Sequence, residues 1–97
     1  INGSFEIAQL INIKFKSKKY NSALALGCII KGQTPHFDFI SSSISNSLLD
    51  LSLKYSLPIA NGVLNCLNKQ QAKIRSSSKK NKGVEAANAL LSILKNL

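Results

Sequence analysis

The run Ala23-Leu24-Ala25-Leu26-Gly27-Cys28-Ile29-Ile30 is almost unbroken in apolar character and has the length of a strand. It lacks the strict alternation of a strand with one wet face, so it reads as a parallel strand buried on both sides. The next strand in a parallel sheet is reached by a crossover, usually helical. The flanking segments fit. Between Phe5 and Lys18, the residues Ile7, Leu10, Ile11 and Phe15 recur at helical spacing, with Gly3-Ser4 as turn and cap. Downstream, Ile40, Ile44, Leu48, Leu51 and Tyr55 mark one face of a second helix. The serines of 41–47 fall mostly on its other faces, so that stretch is a polar helix face and not a linker. Pro58 to Leu64 is a second short apolar run, Asn65 to Asn68 a turn, and Gln70 to Arg75 a short helix. A last helix follows Gly83, with Ala87, Leu90, Leu91 and Leu94 as its periodic residues.

Strands alternating with helices predict an α/β fold with right-handed crossovers and a parallel sheet covered by helices. Ninety-seven residues, 44% of them hydrophobic, suit one domain spanning 1–97. In such sheets ligands bind beyond the carboxyl ends of the strands. The junctions at 2–6, 28–36 and 61–65 all belong to that edge, which brings Glu6 and His36 together.

The segment Gly32-Gln33-Thr34-Pro35-His36-Phe37-Asp38 carries the only histidine. Thr34 suits a helix N-cap and Pro35 the first helical position, so His36 sits in the first turn. The unpaired N–H groups there, with the positive end of the helix dipole, attract an anion and favour a neutral imidazole. A neutral imidazole accepts protons near pH 7. Each candidate also has a plainer reading. His36 is equally the type of residue found on surfaces, and Glu6 and Asp38 are acids favoured in any first helical turn. Arg75 is either a solvated helix-end cation or a guanidinium gripping a phosphate through two parallel hydrogen bonds.

Other classes lack their signatures. No apolar run approaches the roughly 20 residues needed to span a bilayer, and there is no signal-peptide pattern. Cys28 and Cys66 lack metal-ligand spacing and read as two buried reduced thiols, as in a cytoplasmic protein. There is no Ser-His-Asp order, metal cluster or glycine-rich nucleotide fingerprint. The net charge of +9 raises nucleic acid as a partner. Yet Lys14, Lys16, Lys18 and Lys19 close a helix, where cations complement the dipole, and Lys54, Lys69 and Lys73 read as solvated. The basic run with Arg75, Lys79, Lys80 and Lys82 has no aromatic to stack on a base, so no nucleic-acid partner is expected.

Taken together, several motifs resemble the 6,7-dimethyl-8-ribityllumazine synthase family of riboflavin biosynthesis. They are Gly3-Ser4-Phe5-Glu6-Ile7, Ala25-Leu26-Gly27-Cys28-Ile29-Ile30-Lys31-Gly32, Thr34-Pro35-His36-Phe37-Asp38, Pro58-Ile59 with Gly62-Val63-Leu64, Gln71-Ala72 with Arg75, and Asn81-Lys82-Gly83 with Glu85-Ala86-Ala87. The resemblance implies a flavodoxin-like three-layer sandwich around a four-stranded parallel sheet. It also implies a cytoplasmic enzyme without cofactor or metal, with riboflavin synthase as a further partner. The implied reaction condenses 5-amino-6-(D-ribitylamino)uracil with 3,4-dihydroxy-2-butanone 4-phosphate, in pentamers or larger assemblies whose active sites are shared by neighbours.

By the same resemblance, Ser4, Phe5 and Glu6 bind the ribityl and pyrimidine part with Cys28, Ile29 and Ile30, and Asn61 faces the pyrimidine. Gln33 and Thr34 hold the butanone phosphate, Arg75 grips it with Lys82 nearby, and His36 moves protons. The chain departs from the family's pattern in places. Its start at Ile1 reads as an N-terminal truncation that omits the family's first strand and helix, exposing a sheet edge and apolar surface. Asn61 replaces a frequent aromatic, Asn2 a proline and Asn65-Cys66 two threonines, and the loop 75–82 is one residue short. Two other functional classes stay open. One is a catalytically impaired shell or scaffold of the same fold; the other is a basic nucleic-acid-binding module.

Overall fold

A computed structural model describes residues 4–32 and 36–97, with the side chain of Phe5 left out. After a 3₁₀ turn at Ser4–Glu6, the order is α1 (Ile7–Lys16), β1 (Ala23–Ile30), α2 (His36–Tyr55), β2 (Ile59–Cys66), α3 (Lys69–Arg75) and α4 (Lys82–Lys95). The two strands pair in parallel, with Ala23 opposite Ile59 and Ile30 opposite Cys66. The α/β class and the parallel pairing are as expected from the alternating pattern.

Side chains alternate across a strand, so odd and even positions face different helices. On the odd face, Ala25 and Val63 pack with Ile7, Ile11 and Phe15 of α1 and with Ile44 and Leu48 of α2. Phe15 meets Tyr55 edge to face at 5.6 Å, and Tyr55 donates to Asn12 Oδ1 at 2.8 Å. These contacts tie the ends of α1 and α2. On the even face, α4 lies over β2 so closely that a β-carbon at Gly62 would stand 3.3 Å from that of Ala86.

Several details differ from the sequence reading. Buried on one side only, β1 leaves Leu24, Leu26 and Ile30 between 37% and 57% exposed on its even face. The cause is the placement of α4, which centres on β2 and leaves most of β1 uncovered among the described residues. Cys28 points to that open face and is exposed, whereas Cys66 is buried; both are free thiols. The strand β2 runs through Asn65 and Cys66, and the following turn is Leu67-Asn68, where Asn68 caps α3 by accepting from the Gln71 N–H at 2.9 Å. In α4 the buried residue is Ala86, while Leu91 is exposed. Ser4 is not the cap of α1. Glu6 holds that position without a side-chain cap bond.

Candidate functional site

The free edge of β2 forms the floor of an open cleft of about 420 Å³, lined by consecutive residues from Asn61 to Asn65. Arg75, at the end of α3, and Lys82 and Glu85, in the first turn of α4, form its other wall. The spacing of Arg75 and Lys82 follows from two local stops. The hydroxyl of Ser76 folds back to donate to the Ala72 carbonyl at 2.8 Å where α3 ends, and Asn81 caps α4 by accepting from the Val84 N–H at 3.1 Å. The Asn81 amide also donates to the Ser76 carbonyl at 3.2 Å, which draws the basic loop closed.

Arg75 is held as well as placed. Its Nη1 donates to the Asn65 carbonyl at 3.0 Å and lies 3.9 Å from Cys66 Sγ. The guanidinium carries further donors, and two side by side match an anionic oxygen pair. Lys82 pairs with Glu85 at 2.9 Å across one helical turn, both side chains at least half exposed. Asn61 is fixed at both ends of its amide. Its Oδ1 accepts from the Val63 N–H at 3.0 Å and its Nδ2 donates to Ser45 Oγ at 3.5 Å. Among the described residues Asn61 therefore satisfies one donor of the β2 edge that no strand pairs, and it lines the cleft.

A second group gathers where β1 ends and α1 and α2 begin. The Ser4–Glu6 turn packs against both β1 and α2. Ser4 Oγ lies 2.6 Å from where a β-carbon on Gly27 would stand. Glu6 is exposed at the start of α1, and His36 is exposed as the first residue of α2. Ile29 faces the core, while Cys28 and Ile30 face the open side. Desolvation, the neighbouring Cys66 and a hydrogen bond between the two thiols push the Cys28 thiol above its ordinary range.

Asn61, Arg75 and Lys82 thus share one cleft, and Ser4 and Glu6 share the mouth of α2 with His36. Neither Glu6 nor His36 lines the cleft. Gln33 and Thr34, and Pro35 beside them, lie outside the described residues, as does the side chain of Phe5. Among the described residues no cluster of His, Cys, Asp and Glu is arranged to hold a metal ion. The structure adds Glu85 and Asn65 to the residues of the cleft. In the sequence Glu85 belongs to the Glu85-Ala86-Ala87 motif one turn after Lys82, and Asn65 stands in the Asn65-Cys66 pair that replaces two threonines.

The whole chain, residues 1–97, matches the family model for 6,7-dimethyl-8-ribityllumazine synthase. The chain belongs to that family. A lumazine synthase of Desulfovibrio desulfuricans is 42% identical over 96 residues, covering 98% of this chain and 62% of the relative. That of Helicobacter acinonychis is 39% identical over 95 residues, covering 97% and 61%. The Campylobacter hominis enzyme is 37% identical over the same number of residues and with the same coverage. The chain therefore spans about three fifths of the length of the lumazine synthases it matches. No helix among the described residues is long and apolar enough to cross a membrane.

Proposed function

We propose that this chain supplies its part of the active site for joining 5-amino-6-(D-ribitylamino)uracil to 3,4-dihydroxy-2-butanone 4-phosphate, forming 6,7-dimethyl-8-ribityllumazine in the cytoplasm. The observation that carries the reading is the cleft shared by Asn61, Arg75 and Lys82 along the β2 edge in a chain of this family. Arg75 grips the phosphate of the butanone, and Lys82 adds charge beside it. Asn61 faces the pyrimidine with an amide, offering hydrogen bonds where an aromatic would offer only stacking. Ser4, Phe5, Glu6 and the β1 residues Cys28, Ile29 and Ile30 hold the ribityl and pyrimidine portion. Gln33 and Thr34 hold phosphate at the mouth of α2, and His36 moves protons during imine formation, phosphate elimination and ring closure.

The amine nucleophile and the ketone both come from substrates, so the protein's main tasks are to hold them together and neutralise the phosphate. His36 and Glu6 stand outside the cleft of Arg75 and Lys82, which supports a site completed between neighbouring copies in a homo-oligomer, a pentamer or larger.

The test is formation of the lumazine chromophore, followed by absorbance, from the two purified substrates with the longest expressible protein carrying this chain. His36→Ala should slow turnover by a factor of order 10 to 10⁴ without abolishing it. Arg75→Ala should lose affinity for the butanone phosphate. Turnover unchanged by both substitutions would remove these residues from the mechanism, and no turnover from assembled protein would favour a scaffold role.

A further inference from the structure

We propose that the end of the molecule where α1 and α2 finish binds single-stranded nucleic acid, its phosphates on Lys16, Lys18 and Lys54 and a base stacked on Tyr20. This revises the expectation of no nucleic-acid partner, which read Lys14, Lys16, Lys18 and Lys19 as helix-closing cations and Lys54 as solvated, and found no aromatic in the loop 75–82. Here aromatics and lysines do interleave, as Lys14-Phe15-Lys16-Ser17-Lys18-Lys19-Tyr20 and Lys54-Tyr55. The fold brings these two segments together around an open groove of about 530 Å³. Phe15, Tyr55 and Leu57 form its floor, and the three lysines its rim. Tyr20, 51% exposed, separates it from a second groove of about 340 Å³ bordered by Lys14. The Lys14 ammonium stands 5.9 Å from the Tyr20 ring centre and that of Lys54 5.2 Å from the Tyr55 ring centre.

Among the described residues no acid lines either groove. Of the four acids in the chain, Glu6 and Asp38 lie in the first turns at the opposite ends of their helices, and Glu85 is paired with Lys82. Only Asp50, one turn before Lys54, is near. Helix dipoles do not account for five lysines, because a helix end carries about half a charge. The last carbonyls of α1 are also already used, since Lys14 O accepts from the Ser17 N–H and hydroxyl and Phe15 O from the Lys18 N–H. Lys18 itself has a φ of 61°, a left-handed conformation that disfavours any side chain with a β-carbon. The lysine at this position lines the groove although the backbone disfavours it.

An exposed ring flanked by amines offers a stacking face and phosphate partners, the two elements of sequence-independent single-strand binding. An acidic peptide would use the lysines and leave Tyr20 idle. The test measures fluorescence anisotropy of labelled oligo-dT of twelve nucleotides on the longest expressible protein carrying this chain, at several salt concentrations. K16A/K18A/K54A should weaken binding at least about 10-fold and flatten the slope of log K against log salt by about 2, at roughly 0.7 per phosphate contact. Tyr20→Ala should weaken it about 5- to 100-fold with the slope unchanged, and Tyr20→Phe should restore it, because stacking needs only the ring. Circular dichroism would verify that each variant is folded. The proposal is overturned if the oligonucleotide does not bind, if K79A/K80A accounts for the loss instead, if Tyr20→Ala has no effect, or if polyglutamate competes as well as unlabelled oligo-dT.

Discussion

Ser4 occupies the space above Gly27, its Oγ 2.6 Å from the point where a β-carbon on that glycine would have to lie. The turn that begins the candidate site therefore rests on the bare backbone of β1. Ile7 Cδ1, at 3.3 Å from the same point, closes the gap from α1. Gly27→Ala should turn the Ser4 hydroxyl and the Ile7 methyl aside and cost about 1 kcal/mol by overpacking, since no backbone atom stands in the way. Thermal unfolding measures the stability loss. If the proposed substrate roles of Ser4 and Glu6 hold, KM for the ribitylaminouracil should rise more than KM for the butanone phosphate.

Arg75 gives a second prediction. The bond to the Asn65 carbonyl uses one guanidinium donor at a fixed angle and leaves others toward the cleft. Lysine keeps the charge but has no planar fork, so it cannot hold the carbonyl and present a paired donor edge together. Arg75→Lys should recover only part of what Arg75→Ala loses, with KM for the butanone phosphate rising about 10-fold or more, as for loss of a charged hydrogen bond. Steady-state kinetics on both variants decides it; full activity in Arg75→Lys would mean that charge alone suffices.

The sequence made some of this legible and hid the rest for physical reasons. The faces of α1 and α2 could be read because Ile7, Ile11 and Phe15, and Ile44 and Leu48, repeat at the period of the helix that buries them. On α4 the repeat is legible at Ala87, Leu90 and Leu94, which are half-buried, but not at its most buried residue, Ala86, which fits the same spacing, nor at Leu91, which is exposed. The open side of β1 was not legible. An apolar run reports what a strand can tolerate on each face, whereas Leu24, Leu26 and Ile30 are exposed because of where α4 packs. The cleft was legible only in part, because Arg75 and Lys82 announce themselves by charge. Asn65 contributes a backbone carbonyl, which any residue would carry.

Cys28 provides a prediction about pH. Desolvation and the adjacent Cys66 raise its pKa, so the neutral thiol persists to higher pH than in an unfolded chain. Alkylation by iodoacetamide at pH 7 to 8 should be slower than for a short cysteine peptide, despite the exposed position, and should accelerate above the ordinary thiol range. The sign for stability follows. The unfolded chain releases this proton first, so the contribution is intact below the ordinary thiol pKa and is lost as pH rises past it. Cys66→Ser should bring the alkylation profile of Cys28 toward that of the peptide.

Among the described residues, two backbone positions carry side chains against preference. Ser56 has a φ of 53° and Lys18 one of 61°. Glycine lacks the β-carbon that crowds the carbonyl in this region, so Ser56→Gly and Lys18→Gly should each stabilise the fold by about 1 kcal/mol, less the entropy glycine adds to the unfolded chain. Chemical denaturation with an unchanged m value would establish this, and a loss of stability in either variant would contradict it.

Gly62 and Gly32 make a matched pair for the last prediction. Neither has a positive φ, so alanine meets no backbone penalty at either position and only the surroundings differ. A β-carbon at Gly62 would stand 2.8 Å from Leu26 Cδ2, 2.9 Å from the Ala25 carbonyl oxygen and 3.3 Å from the Ala86 β-carbon. Leu26 is exposed and can rotate away, but the Ala25 carbonyl belongs to the paired strand and cannot move without disturbing the ladder. Gly62→Ala should therefore cost roughly 2–3 kcal/mol and push α4 outward, which separates Lys82 from the β2 edge. At Gly32 nothing among the described residues lies within 4 Å, so Gly32→Ala should be neutral or stabilise by about 0.4–1 kcal/mol through the unfolded state. Equal unfolding midpoints for the two variants would show that α4 does not pack on β2 as closely as described. A large loss confined to Gly62→Ala would confirm that the absent side chain sets the distance between the strand edge and the wall of the cleft.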